Sequence, residues 1–367
     1  MKEDLLYQLA LTEVPQVGAV HARLLVQEFG SAKAVFQAPR RLLEKKEGIG
    51  SLRAKYIKAF QNFSMAEKEI RYMEKFQIHA HFINDPGYPR RLLHCYDAPL
   101  ILFQKGKADL NPARALSVIG TRSHTDYGKK ITEKLIADLV PLDVQVISGM
   151  AHGIDGIAHH AACRHSLSTL GVLAHGLDQI YPPAHERLAR EMVQSNGALL
   201  TEFRSGVAPD KHHFPTRNRI VAGMADATVV IETGERGGSI ITAELANGYN
   251  RDVFAFPGKT SDPKSAGCLK LIIKNKAALI TCANDLIEAM GWMEKRAAPA
   301  LPQRLLFPEL SPLEKNILDT LTHHQPLHID ELYHFCQSPN SALAGALLNL
   351  ELNNLVHSLP GKQYRLL

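Results

Sequence analysis

Apolar and polar positions follow three different patterns along these 367 residues. Over residues 1–78 apolar positions recur at three- and four-residue spacing, which predicts amphipathic helices. Two stretches there are alike, "VPQVGAVHARLLVQEF" from Val14 and "KEGIGSLRAKYIKAF" from Lys46. Each has a tight apolar-glycine turn followed by a helix, the pattern of a tandem helix-hairpin-helix or SAM-like unit. Gly18, Gly48 and Gly50 could admit a phosphate close to the backbone, or could serve only to turn the chain.

From 79 to 293 the pattern changes. Short apolar runs without two-residue alternation occupy 99–104, 115–120, 144–149, 169–174, 198–202, 226–232, 252–258 and 277–281. Strands of that kind are covered on both faces, so a mainly parallel sheet is expected. Stretches such as "KKITEKLIADLV" and "AHERLAREMVQS" supply helices between them, giving an α/β, Rossmann-like doubly wound domain. Residues 294–310, rich in Pro and Ala, fit a linker. Residues 311–367 predict three helices and a hairpin turning at Pro360–Gly361, the outline of a winged-helix domain.

Candidate chemistry gathers at the strand ends, where open parallel sheets bind ligands. Gly120, Thr121 and Arg122 follow one strand; Ser148, Gly149 and Gly153 belong to "SGMAHGIDG" at the end of the next. Gly237, Gly238 and Ser239 close "GERGGS" after a third, and Asp155 and Asp178 stand at loop mouths, placed to orient amides. Glycines admit close backbone approach, and the helices that follow offer unpaired amides, so an anion site is predicted. Neither the GxGxxG spacing nor a GxxxxGK[ST] loop occurs, which argues against NAD or ATP geometry; no cofactor is expected.

Before the strand at 226–232 comes "DKHHFPTRNR". Single-strand binders combine a cationic track for the backbone with flat rings for unstacked bases. Lys211, Arg217 and Arg219 supply such a track and Phe214 a ring. Asn218 fits a bond to the loop's own backbone, or a cap on the coming helix, better than the reading of a base. Either arginine could instead pair with an acid such as Asp226 or Glu232.

Composition narrows the classes. Apolar content of 45% and charged content of 22% suit a soluble globular protein. No apolar run approaches the roughly 20 residues of a membrane span. The N-terminus meets acidic residues first, unlike a secretory signal. Five scattered cysteines without a CxxC pair suggest reduced thiols and a cytoplasmic setting. The 18 histidines include no HExxH, so no metal site is expected; Asp155 and His159 could form a helix-stabilising pair. A net charge of +5 is compatible with nucleic acid without requiring it.

"VIGTRSHTDYG", "ISGMAHGIDGIAH", "HFPTRNRIVAG", "ETGERGGSIITAELA" and "VFAFPG", in this order, resemble the DNA-processing protein A family (DprA, or Smf) over about residues 80–290. The resemblance implies a Rossmann-like domain that dimerises, binds single-stranded DNA and helps load the RecA recombinase during natural transformation, with no catalytic residue. It places phosphates against Arg122, the first glycine-rich loop, Lys211, Arg217 and Arg219, and bases against Phe214. Many relatives carry Asn where this chain has Leu269; Gly267 and Lys270 remain available beside it. The winged-helix tail lacks Lys and Arg in "SALAGALLNLELNN", a poor match to a DNA groove. The competing class is a nucleoside-monophosphate phosphoribohydrolase. Those enzymes carry PGGxGTxxE; here Glu244 occupies the suggestive place but the leading PGG is missing.

Overall fold

The structure, a computed structural model, describes residues 2–293 and 310–366 apart from 325, 354, 360 and 361. The expected linker, residue 310 excepted, and the Pro360–Gly361 turn lie outside the described residues. The chain divides into two compact units, Met1–Met293 and Glu294–Leu367.

The first unit opens with six helices: α1 (Lys2–Thr12), α2 (Ala19–Phe29), α3 (Ala32–Gln37), α4 (Arg40–Glu44), α5 (Gly50–Ala59) and α6 (Ser64–Phe76). The two similar stretches form α2 and α5 with the turns before them. Arg53 donates to the carbonyls of Gln16 and Gly48, each at 2.9 Å, and so ties one turn to the other. These helices share one apolar core with the sheet, Leu25 and Val26 belonging to the same cluster as Phe82 and Leu102. Arg23 reaches across to the carbonyls of Leu93 at 3.2 Å and Cys95 at 3.4 Å.

The sheet follows, with its helices, in the order β1 (His79–Phe82), α7 (Arg90–Leu93), β2 (Ile101–Gly106), β3 (Ala115–Ile119), α8 (Asp126–Asp138), β4 (Gln145–Ser148), α9 (Ile154–Arg164) and β5 (Thr169–Val172). It continues through α10 (Glu186–Gln194), β6 (Ala198–Thr201), α11 (His213–Gly223), β7 (Ala227–Val230), α12 (Gly238–Gly248), β8 (Asp252–Ala255), α13 (Ala266–Ile273), β9 (Ala278–Leu279) and α14 (Ala283–Ala289). Spatial order is β1-β2-β6-β5-β4-β3-β7-β8-β9. The pairs β1–β2 and β2–β6 are antiparallel and the remaining pairs parallel. Every residue of β3 through β7 is buried, as unalternating apolar strands require.

The chain runs outward from β3 through β4, β5 and β6, then returns to the other side of β3 as β7. The order therefore reverses between β3 and β7, and loops leaving those two neighbours diverge into a crevice.

The second unit packs α15 (Pro312–His323), α16 (Ile329–Cys336) and α17 (Asn340–Leu352) with the strands β10 (Leu327–His328), β11 (Val356–Leu359) and β12 (Gln363–Leu366). The strands order as β10-β12-β11, a winged-helix domain. A capping box starts α15: Glu314 accepts from the Ser311 amide at 2.7 Å, and the Ser311 hydroxyl accepts from the Glu314 amide at 3.3 Å.

Candidate nucleic-acid interface

The crevice at the reversal point is a cavity of about 590 Å³. Its walls come from the loops after β3, β4 and β7, from the start of α12 and from one face of α11. Gly120, Thr121, Arg122, Gly149, Lys211, Phe214, Arg217, Asn218, Gly237, Gly238 and Ser239 all line it. Thr121 donates its amide to Glu232 at 2.7 Å, which holds the β3 and β7 loops edge to edge.

The run from Asp210 to Arg219 was expected as a loop; most of it is helix. Helix α11 starts at His213, and Pro215 falls in the first turn, where a missing N–H leaves no bond unmade. Phe214, Arg217, Asn218 and Val221 then form one stripe at helical spacing, and that stripe faces the cavity. Two residues along a helix turn about 200°, so Arg217 and Arg219 cannot share a face. Arg219 points away from the crevice to a partly buried ion pair with Glu202. It pairs, as one reading allowed, but with neither Asp226 nor Glu232. Asp226 holds Arg91 at 2.6 Å, and Glu232 accepts from the Thr125 amide at 2.9 Å.

Arg217 is 4% exposed, so it forms the floor of the crevice and offers no surface cation. Its guanidinium donates to the carbonyls of Gly149 and Val172 and to the Asn218 side chain at 3.2 Å. Burial lowers its pKa to about 10, a fall opposed by Asp155 and aided by Arg122, so it stays protonated at neutral pH. Asp155, likewise buried, accepts from the amides of Gly149 at 3.1 Å and Ala151 at 3.4 Å. Burial raises its pKa, with Arg217 the main opposing influence. Asn218 sits inside the helix and caps nothing.

Five expected residues do not line the cavity. Ser148 is fully buried and donates to Val118 at 2.7 Å. Gly153, at φ +78°, is packed so that a Cβ would strike the Thr121 carbonyl. Gly267 is buried and donates to the Thr233 carbonyl at 2.8 Å, bracing the β7 loop. Lys270 is exposed on α13, outside the crevice, and Arg219 is committed to Glu202.

What remains accessible is a compact set. Arg122 and Lys211 are exposed, and among the described residues neither is paired with a carboxylate. Gly238 and Ser239 open α12, so their amides have no acceptor within the helix. The Ser239 hydroxyl donates to that of Thr233 at 2.7 Å and fixes the turn. Arg122 lies over the Phe214 ring, 5.4 Å from its centroid. Elsewhere, Asp178 does orient an amide, that of Gly206, at 2.9 Å. Asp155 and His159 make no pair; His159 meets Thr169 at 2.7 Å instead. Glu244 is exposed outside the cavity, bonded to Lys276 at 2.8 Å. Among the described residues no three metal-binding side chains gather, and no helix is long and apolar enough to cross a membrane.

The geometry can be set beside known proteins. The model of the DNA recombination-mediator protein A family matches residues 79–291, and that of the DprA winged-helix domain matches 297–362. The chain belongs to the DNA recombination-mediator protein A family. It is 31% identical to Protein Smf of Synechocystis sp. over 98% of both chains. It is 41% identical to DNA processing protein DprA of Streptococcus pneumoniae, over 56% of this chain and 72% of that one. The solved DprA of S. pneumoniae superposes with a TM-score of 0.61, at 32% identity, over 77% of this chain and 97% of its own. A structure concerned with the single-stranded DNA binding mode of DNA processing protein A from Helicobacter pylori gives 0.54, at 27%, over 59% and 97%.

Proposed function

We propose that this protein is a non-enzymatic, sequence-tolerant single-stranded DNA binder that delivers the strand to the RecA recombinase in transformation or recombination, acting in the cytoplasm. The observation that carries the reading is the convergence of Arg122, Lys211, Phe214 and the α12 amides on one crevice. Cations and a helix start attract phosphates whatever the sequence, and a ring accepts any base. The single-stranded DNA described for the H. pylori relative supports the same reading. Gly120, Thr121, Gly149, Gly237, Gly238 and Ser239 contribute backbone approach, while Arg217 and Asn218 shape the floor. A homodimer through the Rossmann-like domain, and division into residues 1–78, 79–293, 294–310 and 311–367, belong to this proposal.

The test is an anisotropy titration of the full chain with single- and double-stranded oligonucleotides across salt. Tight single-strand binding that weakens linearly in log–log form with salt is expected. Equal preference for duplex, or release of base from nucleoside monophosphates by the protein, would overturn the reading.

A further inference from the structure

A second, smaller recess adjoins the crevice and shares Arg122, Gly149, Ala151, Phe214 and Arg217 with it. Its outer edge is Tyr181, in the loop between β5 and α10. That residue is 46% exposed, and its ring centroid stands 5.9 Å from that of Phe214 at an angle of 46°. The Tyr181 amide donates to the buried His175 ring at 3.3 Å, and His175 in turn contacts the Gly176 carbonyl at 2.9 Å. The aromatic side chain is thus held on an anchored backbone.

We infer that Tyr181 is a second base-stacking residue, extending the row Arg122–Phe214–Tyr181 so that consecutive bases of a single strand each take one ring. The inference rests on the single-strand reading of the crevice and adds a subsite to it. Two arguments carry it. First, Arg122 already lies against Phe214, so the broad open ring surface of the row belongs to Tyr181. Second, at 5.9 Å and 46° the two rings are in direct contact with no room for a base between them, so they form one continuous aromatic surface whose outward faces can each meet a base. Phosphate contacts stay with Arg122 and Lys211, and Tyr181 adds stacking without charge.

The experiment compares the full-length protein with Tyr181→Leu, Tyr181→Phe and Arg122→Ala on two probes: oligothymidylate, and an abasic sugar-phosphate strand of equal length. Tyr181→Leu should weaken oligothymidylate binding roughly tenfold, leave its salt slope unchanged and leave the abasic strand unaffected; Tyr181→Phe should bind as the parent does. Equal weakening on both probes would assign Tyr181 a merely structural part and overturn the inference. Parent-like binding by Tyr181→Leu would overturn it too. In either case weakening by Arg122→Ala would leave the crevice itself standing. If Arg122→Ala also binds like the parent, the crevice reading falls, and the subsite with it.

Discussion

Arg122 and Phe214 touch across two different chain segments, the loop after β3 and the first turn of α11, with the guanidinium carbon 5.4 Å from the ring centroid. A cation over an aromatic face is attracted by the ring quadrupole. Under the proposed function this contact joins the residue suited to a phosphate with the residue suited to a base, and would set sugar-phosphate and base at a fixed offset.

Removing the ring should therefore cost stacking and no charge. Phe214→Ala is expected to weaken single-strand binding by about 1–3 kcal/mol with its salt slope preserved. Anisotropy titrations at four or five salt concentrations check both quantities together.

Removing a cation has the opposite signature. Arg122→Ala and Lys211→Ala should each reduce the log–log salt slope by about 0.7, the value for one single-strand phosphate, whatever the base sequence. Slopes that stay unchanged in both variants would take these side chains off the phosphate path.

Arg217 and Arg219 should behave as parts of the fold. Arg217→Ala strips donors from the Gly149 and Val172 carbonyls and leaves Asp155 buried beside no cation. A loss of about 3–5 kcal/mol in urea unfolding is expected. Arg219→Ala orphans Glu202 and should destabilise measurably while leaving the salt slope of DNA binding where it was.

Acid should weaken the domain through His159. The Thr169 hydroxyl donates to Val146 at 2.9 Å, so it accepts from His159 Nδ1–H, and the other ring nitrogen is buried without a partner. Burial lowers the imidazole pKa from 6.5 to about 3. The unfolded chain then takes up the proton first, so stability present above pH 6.5 is lost as pH falls towards 3. By pH 5 this one group accounts for about 2 kcal/mol. His159→Gln should lose that much less than the parent between pH 7.5 and 5 in urea unfolding. An identical loss in the two proteins would place the acid sensitivity in other groups, such as His81, His175 or His185, whose pKa values burial also lowers.

The sheet was legible because its parallel strands are buried on both faces and show as unbroken apolar runs. Strand β1 escaped, since "HAHF" at the antiparallel edge is half exposed and polar enough to pass for a loop. The glycine-rich loops that line the crevice were legible as well, through glycines at strand ends. The roles of the two arginines in "RNR" were not, because charge in a sequence carries no direction. Only the helical period of α11 separates Arg217, turned under the crevice, from Arg219, turned to Glu202. Ser148 and Gly267 fall outside the crevice for a related reason, as strand-end residues serve packing as readily as binding. Tyr181 gave no signal beyond an aromatic ahead of two prolines, and only the distance to Phe214 brings it to the crevice.

Because the strand order reverses between β3 and β7, the two walls of the crevice are made far apart in translation. The Arg122 wall leaves the ribosome more than a hundred residues before the α12 amides that face it. A nascent or truncated chain ending ahead of Gly237 can already display its cations, yet it has no opposing wall. Under the proposed function, grip on a strand would then be a property of the finished domain, withheld from fragments and incomplete products.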